Sequence, residues 1–122
     1  MLIAVSSNDQ EELKGQVSAH FGRCPYYTLI EVQGQEIQKV KVIENPYFRT
    51  HEPGQIPGFM RDQGVKVMLA GGMGRRAVQY FKQYDIEVST GVSGKVADVL
   101  DRYLKEGSTG AAPCKESLSH AE

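Results

Sequence analysis

The chain has 122 residues, a formal net charge of -1 and two cysteines far apart in sequence. That length makes one ordinary domain, and the near-neutral balance supplies no global basic field for nucleic acid. No apolar run approaches the roughly 20 residues of a membrane helix, and the opening MLIAVSSNDQ lacks the basic and long apolar regions of a signal peptide. A cytoplasmic protein is expected, with Cys24 and Cys114 as free thiols or metal ligands rather than a disulfide.

Residues 2–6, LIAVS, form a short continuous apolar run, the form of a strand buried on both faces. The polar stretch 7–16 follows as a loop. Residues 26–32, YYTLIEV, are aromatic and β-branched and predict a second strand. QGQ at 33–35 predicts a hairpin turn, and EIQKVKVIEN at 36–45 a third strand returning on the second. The segment 46–58 holds three of the five prolines and opens as a loop. Ile56, Phe59 and Met60 then fall at helical spacing, with Gly64 as the stop.

Beyond that point the pattern is regular. VKVMLA (65–70) predicts a buried strand, GGMG (71–74) a turn, and RRAVQYFKQY (75–84) a helix with Ala77, Val78 and Phe81 on one face. IEVS (86–89) predicts a strand and TGVSG (90–94) a turn. In KVADVLDRYLKEG (95–107), Val96, Val99, Leu100, Tyr103 and Leu104 make one amphipathic stripe. Residues 108–122 are small and polar without periodicity and predict a mobile tail. Residues 1–107 are thus expected as one α/β domain of order β-β-β-α-β-α-β-α, a layered sheet with an early hairpin.

All the histidines and cysteines, His20, Cys24, His51, Cys114 and His120, fall in expected loops or in the tail, where side chains are available to a ligand. In the corner HFGRCP, His20 and Cys24 are separated by the flexible Gly22, and Pro25 stiffens the exit. Imidazole and thiolate suit iron, copper or zinc, and thiolate suits sulfide clusters. Arg23 would help hold a thiolate and favour an anionic cluster. The same spacing also reads as a hydrogen-bonded loop histidine above a packed thiol, since an H-x3-C pair is less specific than paired CxxC motifs.

AGGMGRRA (70–77) follows a strand and opens a helix. Its glycines allow close backbone approach, and a helix N-terminus beside Arg75 and Arg76 attracts anions. It has neither the GK[ST] of a P-loop nor the spacing of a dinucleotide fingerprint. It reads as an anion seat or as a tight strand-to-helix turn. TGVSG holds the equivalent place after the last strand, where ligands of open α/β sheets bind. No Ser-His-Asp or Cys-His set can be assembled, and LIAVS carries no carboxylate for two-metal chemistry. An enzyme is not expected. A small-anion or nucleotide-binding regulatory module using the GGMG turn stands as the alternative to a metal-binding protein.

Three stretches, VSAHFGRCPYYTLIEV, HEPGQIPGFMRDQGVKVMLAGGMGRRAVQYF and IEVSTGVSGKVADVLDRYL, together resemble the dinitrogenase iron-molybdenum cofactor biosynthesis family. That family includes accessory proteins of the NifX and NafY type and small stand-alone members. The likeness spans residues 1–104 in order, and the HFGR corner and the AGGMG-x-RA turn are its most specific parts. The resemblance implies a three-layer α/β/α, ribonuclease-H-like fold with a mixed five-stranded sheet. It implies binding or carriage of an iron-sulfur or molybdenum-containing cluster or its precursor, exchanged with a protein donor or acceptor, without catalysis, nucleic acid or membrane.

By the same resemblance His20 is a cluster contact and Cys24 a second metal candidate. Arg23, Gly71, Gly72, Met73, Gly74 and Arg75 are the candidate cluster-binding wall. As further metal candidates, His51 matches a histidine often found before the first helix in the family, and the Cys114 and His120 tail resembles a reduced form of the Cys/His-bearing tails of some members. One branch of small members holds a molybdenum-copper sulfide cluster without covalent protein ligands. There Arg23, Arg75, Arg76 and backbone N–H groups would matter more than thiolates, as donors matched to an anionic sulfide.

Overall fold

In the computed structural model, which describes residues 1–49, 52 and 54–107, the strands and helices follow in the expected order. They are β1 (Leu2–Ser7), β2 (Tyr26–Gln33), β3 (Glu36–Glu44), α1 (Gln55–Gln63), β4 (Val65–Leu69), α2 (Arg75–Gln83), β5 (Glu87–Ser89) and α3 (Val96–Glu106). A turn of 3-10 helix, Glu12–Lys14, interrupts the polar stretch expected to be a plain loop. Residues 108–122, expected as a mobile tail, lie outside the described residues.

The five strands form one mixed sheet in the order β3-β2-β1-β4-β5. β2 is antiparallel to both β1 and β3, and β4 is parallel to both β1 and β5. The apolar run of β1 lies at the centre of the sheet, where both faces are covered, and Ile3, Ala4 and Val5 are fully buried. β3, paired only to β2, is an edge and is largely exposed. Lys39 and Lys41 on that edge oppose pairing with a foreign strand.

Side-chain alternation divides the core into two layers. On one face Ala4, Leu29 and Met68 pack against Ile56 and Met60 of α1 and Ala77 and Phe81 of α2. On the other, Ile3, Val5, Ile30 and Leu69 pack against Val96, Val99 and Leu100 of α3. This is the three-layer α/β/α arrangement of a ribonuclease-H-like motif. Each large apolar side chain buried in these layers contributes about 1.5–3 kcal/mol. The expected stop of α1 is real: Gly64 adopts φ +85° and returns its N–H to the carbonyls of Met60 and Arg61. Among the described residues no helix is long and apolar enough to cross a membrane.

Because β1, β4 and β5 run parallel, their carboxyl ends meet at one edge of the sheet. The 8–25, 70–74 and 90–95 segments leave from there. The chain after β4 turns to α2 on one face, and the chain after β5 turns to α3 on the other.

Candidate functional site

The three segments at this edge are joined by backbone hydrogen bonds. Val17 N–H donates to the Gly94 carbonyl at 2.9 Å, and Ser18 N–H donates to Ser6 at 2.8 Å. His20 and Gly72 then form an isolated parallel bridge. Within it, Gly72 N–H donates to the Ala19 carbonyl at 2.7 Å and Phe21 N–H donates to the Gly72 carbonyl at 2.8 Å. From the other side, Gly91 N–H donates to the Gly71 carbonyl. The HFGR corner, the GGMG turn and the TGVSG turn are therefore walls of one structure. Glycine at position 71 is a steric requirement: a Cβ there would stand 2.6 Å from the Ser18 carbonyl oxygen and 2.8 Å from Ala19 Cα.

Beneath the corner, Phe21 acts as its anchor. Its ring is buried, meets Phe81 edge-on at 5.3 Å between centroids and lies 6.1 Å from Tyr27. The Phe21 carbonyl accepts from the Tyr27 hydroxyl at 2.8 Å and from the Cys24 thiol at 3.2 Å. Asn45, buried just after β3, donates its side-chain amide to the carbonyls of Cys24 at 2.9 Å and Gly22 at 3.2 Å. Its backbone N–H donates to Pro25. A buried polar network with its partners in place rigidifies what it holds. The loop is thus fixed from below while His20 stands half-buried at the surface, between exposed Ala19 and, three residues on, exposed Arg23.

Cys24, expected beside His20 as a second soft ligand, faces the core instead. It is fully buried, and burial pushes its thiol up to about 11, with the hydrogen bond to Tyr27 offsetting only part of that. A neutral buried thiol packs as a small hydrophobe, because the thiolate needed for metal binding is the form burial disfavours. Met73 is likewise fully buried and supports the turn from inside. Gly72 and Gly74 are buried, Gly71 is half-buried, and Arg75 and Arg76 are exposed. His51, Cys114 and His120 lie outside the described residues.

Among the described residues no group of three or more histidines, cysteines or carboxylates comes together to hold a metal ion. The donor set at the corner is one imidazole, peptide N–H groups and guanidinium ions. α2 opens at Gly74 with no side-chain cap and no acidic residue in its first turn. Its first N–H groups therefore receive no side-chain cap, and the positive end of its dipole faces the turn. Tyr27, Asn45 and Ser18, whose hydroxyl accepts from His20 N–H at 3.2 Å, carry no signal in the sequence that sets them at this corner. Nothing local distinguishes an asparagine that braces a distant loop from one that ends a strand.

The sequence profile of the family described as dinitrogenase iron-molybdenum cofactor matches residues 1–106. An uncharacterised protein of Methanocaldococcus jannaschii is 26% identical over 92 residues, 74% of this chain and 78% of that protein. The crystal structure of PH0822 has a TM-score of 0.79 at 34% identity, covering 91% of this chain and 96% of the other. The apo form of the orange protein from Desulfovibrio gigas also has a TM-score of 0.79, over 92% and 93% of the two chains. At 23% identity that likeness shows a common fold. The profile spans both the HFGR corner and the GGMG turn that the fold locks together, and the chain belongs to the dinitrogenase iron-molybdenum cofactor family.

Proposed function

We propose that this protein binds and carries an anionic metal-sulfide cluster, iron-sulfur or molybdenum-containing, as cargo and without catalysing a reaction on it. One observation carries the reading: the backbone bridge of His20 with Gly72 places a half-buried histidine beside a glycine-rich turn that opens an uncapped helix. His20 contacts the cluster. The first N–H groups of α2, with Arg75 and Arg76, stabilise its negative charge, and Arg23 adds to that field. A single soft side chain with backbone and guanidinium donors holds such a body by charge and hydrogen bonds. A site of this kind can release its load to an acceptor protein, which a cage of thiolates would resist.

The test is anaerobic loading of the full chain with iron and sulfide, or with molybdate, copper and sulfide, followed by elemental analysis and visible spectroscopy. Stoichiometric metal with charge-transfer bands is expected for the parent protein. His20→Ala should bind at least about tenfold more weakly, a loss of about 1.4 kcal/mol. Equal binding by His20→Ala would remove the histidine from the site. A colourless, metal-free protein under every condition would overturn the cluster reading. Thermal shift with phosphate or nucleotide in metal-free buffer would then test the turn as a plain anion seat.

A further inference from the structure

A cleft of about 350 Å³ lies on the opposite side of the Gly71–Gly91 contact, between the turn after β5 and the length of α3. It has a topological origin. The connections that follow the adjacent parallel strands β4 and β5 leave for opposite faces of the sheet, and open α/β sheets form crevices where connections part in this way. Val92 and the edge of Val99, over the fully buried Leu69, give the cleft its apolar floor, while Ser93, Asp98 and Arg102 give it polar groups. The Tyr103 hydroxyl, also on the cleft, donates to the Glu87 carboxylate and ties α3 to β5, fixing the width of the opening.

The charges here are specific. Asp98 and Arg102 are one helical turn apart on α3, and both face the cleft. Among the described residues Asp98 has no ion-pair partner, whereas Arg102 Nε meets Glu106 at 2.9 Å with both side chains mostly exposed. An exposed pair of that kind holds its partners weakly, so the guanidinium can be recruited by a ligand. A simple anion entering the cleft would meet Asp98, and a simple amine would meet Arg102. A molecule carrying both charges satisfies both. The volume is at the lower end of the range for ligand pockets, about 300–1,000 Å³, and admits a small molecule.

We propose that this cleft is a second binding site, independent of the His20 corner, for a small zwitterion with an apolar body, the chemical class of the aliphatic α-amino acids. Asp98 takes the ammonium group and Arg102, drawn from Glu106, takes the carboxylate. The Ser93 hydroxyl supplies a further hydrogen bond, and the aliphatic chain lies on Val92 and Val99.

The experiment is a titration of the isotopically labelled, metal-free full chain, followed by amide NMR shifts, with L-leucine and its two half-molecules, isoamylamine and 4-methylpentanoate. Leucine should give saturable shifts confined to residues 89–93 and 98–103, with each half-molecule at least about tenfold weaker. Asp98→Asn and Arg102→Gln, both surface changes that leave the melting temperature near the parent value, should each weaken leucine by a similar factor. Absence of saturable shifts up to about 20 mM leucine, an affinity too weak to count as a site, would overturn the proposal. So would half-molecules that bind as well as leucine, or variants that bind it unchanged. Metal loading at the corner should be the same in both variants, so this site can fail without the cluster reading failing.

Discussion

Replacing Gly71 by alanine tests whether the three loops act as one piece. The added methyl group would lie 2.6 Å from the Ser18 carbonyl oxygen and 2.8 Å from both the Cα and the carbonyl oxygen of Ala19. All of these are backbone atoms, so no side chain can swing aside, and the 18–20 loop must retreat from the GGMG turn. The retreat stretches the two bonds of the bridge, Gly72 N–H to Ala19 at 2.7 Å and Phe21 N–H to Gly72 at 2.8 Å. At a net 0.5–1.5 kcal/mol for each, the loss is about 1–3 kcal/mol. Gly91→Ala is the comparison: nothing stands within 4 Å of its Cβ, but φ is +77°, so it costs only the left-handed strain of about 1–2 kcal/mol. Urea unfolding followed by circular dichroism reads both stabilities, and amide exchange of residues 19–21 and 72 reads the bridge. Gly71→Ala should open those amides selectively, and Gly91→Ala should not. A Gly71→Ala protein within about 0.5 kcal/mol of the parent, a typical bland surface change, with the bridge amides still protected, would refute the reasoning.

Cys24 gives a pH dependence of definite sign. Its thiol rises from an ordinary value of 9.0 to about 11 in the fold because burial favours the neutral form. The unfolded chain therefore loses this proton first. The contribution is complete below pH 9.0 and is lost as pH rises to about 11, some 3 kcal/mol in all, roughly two units at 1.36 kcal/mol each. Urea unfolding across that interval should show the decline, to which Tyr103, raised by burial and by Glu87, adds above pH 10, and Cys24→Ala should make it shallower; identical slopes in the two proteins would contradict the assignment. Asn45→Ala deprives the Gly22 and Cys24 carbonyls of their donor, and leaving such buried groups unpaired costs about 1–3 kcal/mol. Faster amide exchange around residues 20–24 should accompany that loss, and unchanged protection there would show that the corner does not depend on Asn45. Gly58→Ala, in the middle of α1 with no heavy atom closer than 4.0 Å to its Cβ, should raise stability by about 0.5–1 kcal/mol through helix propensity alone. A lower melting temperature would mean that α1 needs the glycine for a reason its surroundings do not show.

The elements legible in the sequence are those whose pattern is local. LIAVS reads as a doubly covered strand because each of its residues meets a packed layer, and the β1 that results has sheet neighbours on both sides. The stripe Val96, Val99, Leu100 reads as a helix face because helical spacing alone brings those side chains together, and they do form the α3 side of the core. The corner was legible as a place but not in its parts. HFGRC contains two soft donors, and nothing in five residues states which of them faces outward. That choice is made by Phe21, which enters the core against Phe81 and brings its carbonyl within reach of the Cys24 thiol. It is reinforced by Asn45, whose amide reaches back from the end of β3. Long-range contacts of this kind leave no periodic trace. Their consequence is chemical as well as structural, because turning the thiol inward leaves the imidazole as the single soft donor of a pair that the spacing alone could not resolve. On the function proposed above, a cluster at that corner would rest on one side chain and on the field of a helix end. The rigidity of the bridge beneath then takes the place that a second or third ligand would otherwise fill: a site with so few contacts can discriminate among anions only if those contacts do not move.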